Sequence, residues 1–251
     1  MMKNLATVIS YYSNDERFIR ECIKNALAVS DHVVVPVSSH FYDGTSEDLD
    51  SVRNLAKEFP EVEFILFEWS AGRHPRYWNN MSRIIGHSQL PEEIEWVLFL
   101  DADEIIDKDL FLQFKNSPES TTYDTQKLAC YWYFREPTYR ATSIEDSPVL
   151  VRKELVNINP NNPGLEREQM HELLQGVTKK RVVLQNNTPM LHHFSWVRTK
   201  EQMLQKVKAW SHTSDRGDWA DLVEEEFSRP FNGRSFVNDY NFVEVDNIFN
   251  V

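Results

Sequence analysis

Apolar runs alternate with helical periodicities along the first hundred residues. Leu5 to Ser10 is a short apolar run closed by the polar cluster Ser13, Asn14 and Asp15, and Phe18, Ile19, Cys22, Ile23, Ala26 and Leu27 then recur at helical spacing. This pattern predicts strand, loop, helix. The β-branched run His32 to Val37 predicts a second strand, and after the turn sequence Asp43-Gly44-Thr45 the residues Leu49, Val52, Leu55 and Phe59 share one helical face. Val62 to Phe67 predicts a third strand, Tyr77 to Gln89 a third helix, and Trp96 to Leu100 a fourth strand, apolar throughout as a strand covered on both faces must be. Beyond residue 110 the alternation weakens. Strands are expected at Leu128 to Phe134, Val149 to Arg152 and Met190 to Phe194, and Thr199 with Gln202 forms a capping box for a helix carrying Met203, Val207 and Trp210. From about Arg216 no period is visible, and this stretch is expected to wrap back on the core.

Strands alternating with helices of this length imply an α/β chain with a mostly parallel sheet covered on both faces, whose ligands bind at the carboxyl ends of the strands. The loops after Ser10, Val37, Phe67 and Leu100 are therefore the places to look for chemistry. Composition narrows the choice. With 27 Lys and Arg against 39 Asp and Glu, the net charge of -12 repels nucleic-acid phosphates, and no basic patch offsets it. Neither G-x-G-x-x-G nor G-x-x-x-x-G-K-[ST] occurs among only 7 glycines, which counts against dinucleotide-binding and P-loop chemistry. Cys22 and Cys130 read as small buried hydrophobes in a reducing compartment. No apolar run approaches the ~20 residues of a spanning helix, and the N-terminus lacks a signal-peptide core, so a soluble protein without an integral membrane segment is expected.

The segment EWVLFLDADEII, residues 95 to 106, carries the strongest chemical signal. An apolar strand delivers Asp101 and Asp103 to its carboxyl end, where alternation would set both on one side. Carboxylates that close repel each other, and Mg²⁺ or Mn²⁺ relieves the repulsion while leaving coordination positions for phosphate oxygens. Tyr131, Trp132, Tyr133 and Phe134 alternate between two faces, with core formation as their first role; Trp210 and Trp219 read likewise. Ligand recognition is expected from the loop Tyr11 to Asp15 and from the segment after the second strand.

Four segments taken together, ATVISYYSNDERFIRECIKNAL, WVLFLDADEII, MHELLQG at 170 to 176 and LHHFSWVR at 191 to 198, resemble the inverting glycosyltransferases of the GT-A fold, specifically the family 2-like enzymes that extend lipopolysaccharide core and related glycans. The resemblance spans roughly residues 5 to 212. It implies a three-layer α/β/α fold with a mostly parallel mixed central sheet, a nucleoside-diphosphate sugar donor, a glycan or glycolipid acceptor and a Mn²⁺ or Mg²⁺ cofactor. It further implies that Asp103 binds the metal, that Asp101 touches the metal or the ribose, and that His193 approaches from the other side, with His192 as the rival one residue away. Glu172 becomes the candidate general base, with His171 as its substitute and Asp107 or Asp109 behind them. Arg73, Arg76, Lys206 and Arg198 become candidate diphosphate contacts. Similar enzymes place a carboxylate directly after the second strand, where this chain has Pro36-Val37-Ser38-Ser39; Asp43 is the nearest replacement, although Asp43-Gly44 is also turn chemistry.

On this reading residues 1–215 form one catalytic domain, with 1–110 as the donor half and 111–215 as the acceptor half, followed by a C-terminal extension. The expected location is cytoplasmic, with peripheral membrane association open through a lipid-linked acceptor. Two rival classes remain: a nucleotidyltransferase acting on sugar phosphates, against which the glycine-free YYSNDERF counts, and a non-catalytic glycan-binding relic of the fold.

Overall fold

A computed structural model describes residues 1–162 and 164–251. In chain order the strands and helices are β1 (Leu5–Ser10), α1 (Glu16–Val29), β2 (His32–Ser38), α2 (Leu49–Glu58), β3 (Glu63–Phe67), α3 (Pro75–Ser88), β4 (Trp96–Asp101), β5 (Glu104–Ile106), α4 (Lys108–Lys115), β6 (Thr125–Leu128), β7 (Cys130–Phe134), β8 (Glu136–Glu145), β9 (Val149–Arg152), α5 (Gln169–Glu172), β10 (Lys179–Val183), β11 (Leu191–Trp196), α6 (Lys200–Ala209), α7 (Trp219–Phe227) and β12 (Phe242–Glu244).

The main sheet runs β10-β6-β9-β4-β1-β2-β3, with β9 antiparallel to both neighbours and the other pairs parallel. Alternation along the strands builds two cores. Leu5, Ile9, Val33, Val35, Leu98 and Leu100 meet the apolar stripes of α1, α2 and α4, whereas Ala6, Val8, Val34, Val97 and Phe99 face the side of α3 and Met170. Three layers result. Gly86 lets α3 press onto the sheet, because a Cβ there would lie 2.4 Å from Val8 Cγ1. The helix starts follow their side chains: Asp48 accepts from Ser51 N, Asp107 from Asp109 N and Leu110 N, and Thr199 and Gln202 form the capping box on α6.

The expected strand Leu128 to Phe134 is broken at Ala129. Its first part, β6, belongs to the main sheet, and its second part, β7, enters a second sheet ordered β12-β8-β7-β11-β5. Alternating burial therefore changes sheets midway, which is why one continuous apolar run had suggested one strand. The segment after Arg216 does hold regular structure. Trp219, Val223 and Phe227 of α7 sit on Trp132, Phe134 and Trp196, and β12 pairs antiparallel with β8. Among the described residues no helix is long and apolar enough to cross a membrane.

Candidate active site

The strand order reverses direction at β1, which lies between β2 and β4, and such a switch point opens a crevice at the carboxyl ends of the strands. There Ser10 pairs with Asp101, the last residues of β1 and β4. A cleft of about 520 Å³ opens above them, lined by residues that include Asp15, Asp101, Asp103, His193, Arg198 and Lys206. Asp103 reaches it by a different route from the expected alternation: it lies in the turn between β4 and β5, while β5 pairs with β11 so that His193 stands opposite Glu104.

Asp103 sits at the centre of the charge network. Its Oδ2 is 3.2 Å from Arg198 and 3.6 Å from Lys206 Nζ, and its Oδ1 is 3.6 Å from His193 Nε2. Burial alone would raise this carboxyl, but Lys206, His193 and Arg198 hold it well below the usual carboxylate range, so it stays ionised. Asp101 is treated alike, with burial opposed by Arg167 at 3.8 Å and Arg83 at 2.7 Å, and its pKa is lowered. Asp15 also contacts Arg198, yet desolvation dominates and pushes its carboxyl up to about 6. Lys206 is lowered by burial and by Arg198 beside it, against the pull of Asp103. Burial disfavours the charged form of His193, but Cys130, Glu145, Glu104 and Asp103 around it raise its pKa well above the ordinary value.

Asp103 and His193 offer two donors to a hard divalent cation, which would take the place of the His193 proton and share the Asp103 charge with Arg198 and Lys206. Ligands at about 2.1 Å in adjacent coordination positions stand roughly 3 Å apart, close to the 3.6 Å between Asp103 Oδ1 and His193 Nε2. Asp103 and His193 would hold it, while the part-exposed Asp101 carboxylate is paired with Arg83 and Arg167. Alternation in β11 sends the two histidines to different sides. His193 lines the cleft, whereas His192 turns into an aromatic cluster, stacked with Tyr133 and Phe194 and accepting from or donating to Tyr133 Oη at 2.7 Å through Nδ1.

Several sequence-derived candidates lie elsewhere. Glu172 ends the single turn α5 outside the cleft, half-exposed, with Lys127 at 4.0 Å and Arg181 at 3.7 Å. His171 is buried beside it, with burial lowering its pKa, and does not line the cleft either. The same segment sends Glu166, Arg167 and Glu168 into the cleft instead. Tyr11 continues the inward alternation of β1, buried with its hydroxyl on Glu16, and Tyr12 faces the cleft in its place. Asp43 accepts from Thr45 N at 2.9 Å in its turn and borders a neighbouring apolar pocket. The buried acid near the loop after β1 is Glu47, which accepts from Ser13 N at 3.1 Å. Arg73 is exposed over the Tyr77 ring, outside the cleft. Arg76 stands behind the cleft wall, bonded to Asp215 and His212 and 3.9 Å from Glu166. Asp107 and Asp109 belong to the start of α4.

Sequence reasoning missed two buried arginines, Arg83 and Arg167, whose carboxylate partners are distant along the chain and leave no local signal. It also missed the aromatic wall formed where Tyr12 meets Tyr42 edge-on at 4.8 Å.

No protein-family model matches the sequence, and no curated protein matches it. Solved structures resemble it in fold. Residues 1–349 of TarS from S. aureus in complex with UDP-GlcNAc align at 14% identity over 90% of this chain and 73% of that one, with a TM-score of 0.50. The mannosyltransferase PcManGT from Pyrobaculum calidifontis, in complex with GDP-Man and Mn²⁺, aligns at 15% identity over 90% of this chain and 69% of that one, TM-score 0.49. A 4-diphosphocytidyl-2C-methyl-D-erythritol synthase from Anaerococcus prevotii DSM 20548 aligns at 14% identity over 85% and 99%, TM-score 0.46. The chain has the α/β/α fold of the GT-A type, with a mostly parallel mixed central sheet.

One stability consequence follows from the two histidines. Burial lowers His192 to about 3, far below the ~6.5 of an unfolded chain. A depressed histidine contributes stability above its unfolded pKa and loses it as pH falls towards the folded one. Between pH 7 and pH 5 the wild type is therefore expected to lose about 2 kcal/mol more unfolding free energy than His192→Phe, at ~1.4 kcal/mol per pH unit below 6.5. Urea unfolding at the two pH values measures the difference, and parallel losses would show that His192 is protonated inside the fold.

Proposed function

We propose that this protein is a metal-dependent, inverting glycosyltransferase that moves a sugar from a nucleoside-diphosphate donor to a hydroxyl of a glycan acceptor. The observation that carries the reading is the placement of ionised Asp101 and Asp103 at the β1/β4 switch point, with His193, Arg198 and Lys206 gathered on Asp103. The base stacks on the Tyr12 and Tyr42 wall. A bound Mn²⁺ or Mg²⁺ supplies charge neutralisation to the diphosphate. Arg198 and Lys206 add cationic charge where the departing phosphate gathers its own.

For transfer, the acceptor oxygen bonds to the anomeric carbon on the face opposite the diphosphate, the carbon–phosphate-oxygen bond breaks, and the hydroxyl proton passes to a cleft carboxylate. We assign that base to Glu168, which lines the cleft with no ion-pair partner within 4 Å among the described residues, whereas Glu166 is engaged with Arg83 and Arg76. Trp210 and Trp219, part-exposed where they line the cleft, offer ring surface for acceptor sugars.

A thermal-shift panel of nucleoside diphosphates, nucleoside triphosphates and nucleotide sugars, with and without Mn²⁺, tests this. One nucleotide sugar is expected to stabilise the protein only with metal present, by about 2.7 kcal/mol at a hundredfold excess over Kd. A flat panel sinks the proposal. Selective stabilisation by a nucleoside triphosphate, with pyrophosphate release from a sugar phosphate, would replace it with nucleotidyl transfer.

A further inference from the structure

Behind the cleft, on the far side of the His193 ring, lies a second group of ligand atoms. Cys130 at the start of β7, Glu145 at the end of β8 and His193 in β11 bring one sulfur, one carboxylate oxygen and one imidazole nitrogen within 4.8 Å of one another. His193 Nδ1 is buried without a hydrogen-bond partner, which is costly for a polar atom, and Glu145 Oε2 stands 3.7 Å from it. The other Glu145 oxygen accepts from Asn238 Nδ2 at 3.2 Å, so the carboxylate is oriented by the C-terminal segment. Two of the three side chains, Glu145 and His193, line the cleft, which gives an ion a route in from solvent.

We propose that Cys130, Glu145 and His193 Nδ1 form a zinc site separate from the hard-cation position at Asp103. Thiolate and imidazole together select a borderline-soft ion, while a Mg²⁺ site would be built of oxygens. Around a tetrahedral zinc with bonds of about 2.0–2.3 Å, ligand atoms stand roughly 3.3–3.8 Å apart. The Glu145 to His193 separation already meets this, and the remaining closure of about an ångström falls on the sulfur. Cleft water fills the fourth position. Ligation releases the Cys130 thiol proton and the Nδ1 proton.

The shared imidazole makes the site a switch on the cleft. A neutral imidazole offers one lone pair: with Nδ1 on zinc, Nε2 carries the proton, donates towards Asp103 and cannot ligate a cation there. Zinc at Cys130 and a His193 contact to the catalytic cation are mutually exclusive. The zinc site itself stands whether or not the protein transfers sugars.

Cobalt is the probe, because a thiolate bound to Co²⁺ gives an intense near-ultraviolet charge-transfer band that oxygen and nitrogen ligands do not. Chelator-stripped protein titrated with Co²⁺, without nucleotide, is expected to develop this band at one ion per chain and to lose it when Zn²⁺ is added. Cys130→Ser should abolish the band, and Cys22→Ser, whose sulfur points at the Glu104 carbonyl at 3.3 Å, should keep it. Glu145→Gln should weaken Co²⁺ binding by about tenfold or more, and it decides the matter if Cys130→Ser does not fold. A wild type without the band, a band that survives Cys130→Ser, or an unchanged Co²⁺ affinity in Glu145→Gln each overturns the assignment. None of these outcomes bears on the nucleotide panel, so the two proposals fail separately.

Discussion

Asp103→Asn is expected to lower kcat/KM for sugar transfer by about 10³-fold, equivalent to ~4 kcal/mol of lost transition-state stabilisation. The substitution keeps the shape of the side chain and removes its charge. That charge is the one towards which Arg198, Lys206 and His193 are all drawn, and the nearest oxygen available to share a cation with His193 Nε2. Because Arg198 keeps its contact with Asp15, the fold is expected to survive with its unfolding midpoint lowered only modestly. Asp107→Asn is the matched control. Asp107 lies six residues from Asp101 in the same acidic segment, but its Oδ1 accepts from Asp109 N and Leu110 N at 3.1 Å to start α4, work that asparagine does equally well. Its activity should stay within about twofold of wild type. Steady-state kinetics with the sugar donor found by the nucleotide panel measures both, and an Asp103→Asn enzyme within tenfold of wild type would remove Asp103 from the proposed chemistry.

The contrast between those two aspartates shows what could be read from residue order. Strands β1 to β4 were legible because each is a compact apolar run with a helical stripe or turn between it and the next, and burial on both faces of a central strand requires such a run. The end of β4 was legible with them: Asp101 closes that strand, while Asp103 lies in the turn beyond it rather than on the expected alternation. Strand β8, between β12 and β7, was illegible for the opposite reason: it is half-exposed along much of its length, and EPTYRATSIE has no apolar face for alternation to reveal. The segment 164–178 contributes Glu166, Arg167 and Glu168 to the cleft through irregular backbone with a single helical turn, so no periodicity announces which of its acids faces inward. That is how Glu172, attractive for its neighbours in sequence, came to stand where Lys127 and Arg181 meet it outside the cleft. Cys130 was read as an inert core residue, and it is fully buried; its nearness to Glu145 and His193 arises from three strands of a second sheet that the sequence pattern did not show.

Arg167→Met is expected to cost about 3–5 kcal/mol of stability, the range for removing one partner of a buried ion pair. Arg167 and Glu104 are both buried, and the guanidinium fork meets the carboxylate through two bonds, Nη1 to Oε2 at 2.6 Å and Nη2 to Oε1 at 2.5 Å. Glu104 Oε2 also accepts from Asp101 N at 2.9 Å, so this pair fixes the turn that presents both cleft aspartates. Without Arg167 the carboxylate is left ionised in a site without solvent, and at ~2–4 °C per kcal/mol for a chain of this size the midpoint should fall by about 10 °C. Burial already raises the Glu104 carboxyl against the pull of Arg167. With that pull gone its pKa rises further, and a carboxyl raised in the folded state contributes stability that is lost as pH rises through its pKa. The deficit of the variant should therefore be larger at pH 8 than at pH 5. Adding Glu104→Gln removes the stranded charge, so the double variant should recover at least ~2 kcal/mol relative to the sum of the singles. Urea unfolding of the four proteins measures that coupling. Additive losses, or a cost below about 1 kcal/mol for Arg167→Met, would mean that solvent reaches Glu104 and that the turn carrying Asp101 and Asp103 is held by something other than this pair.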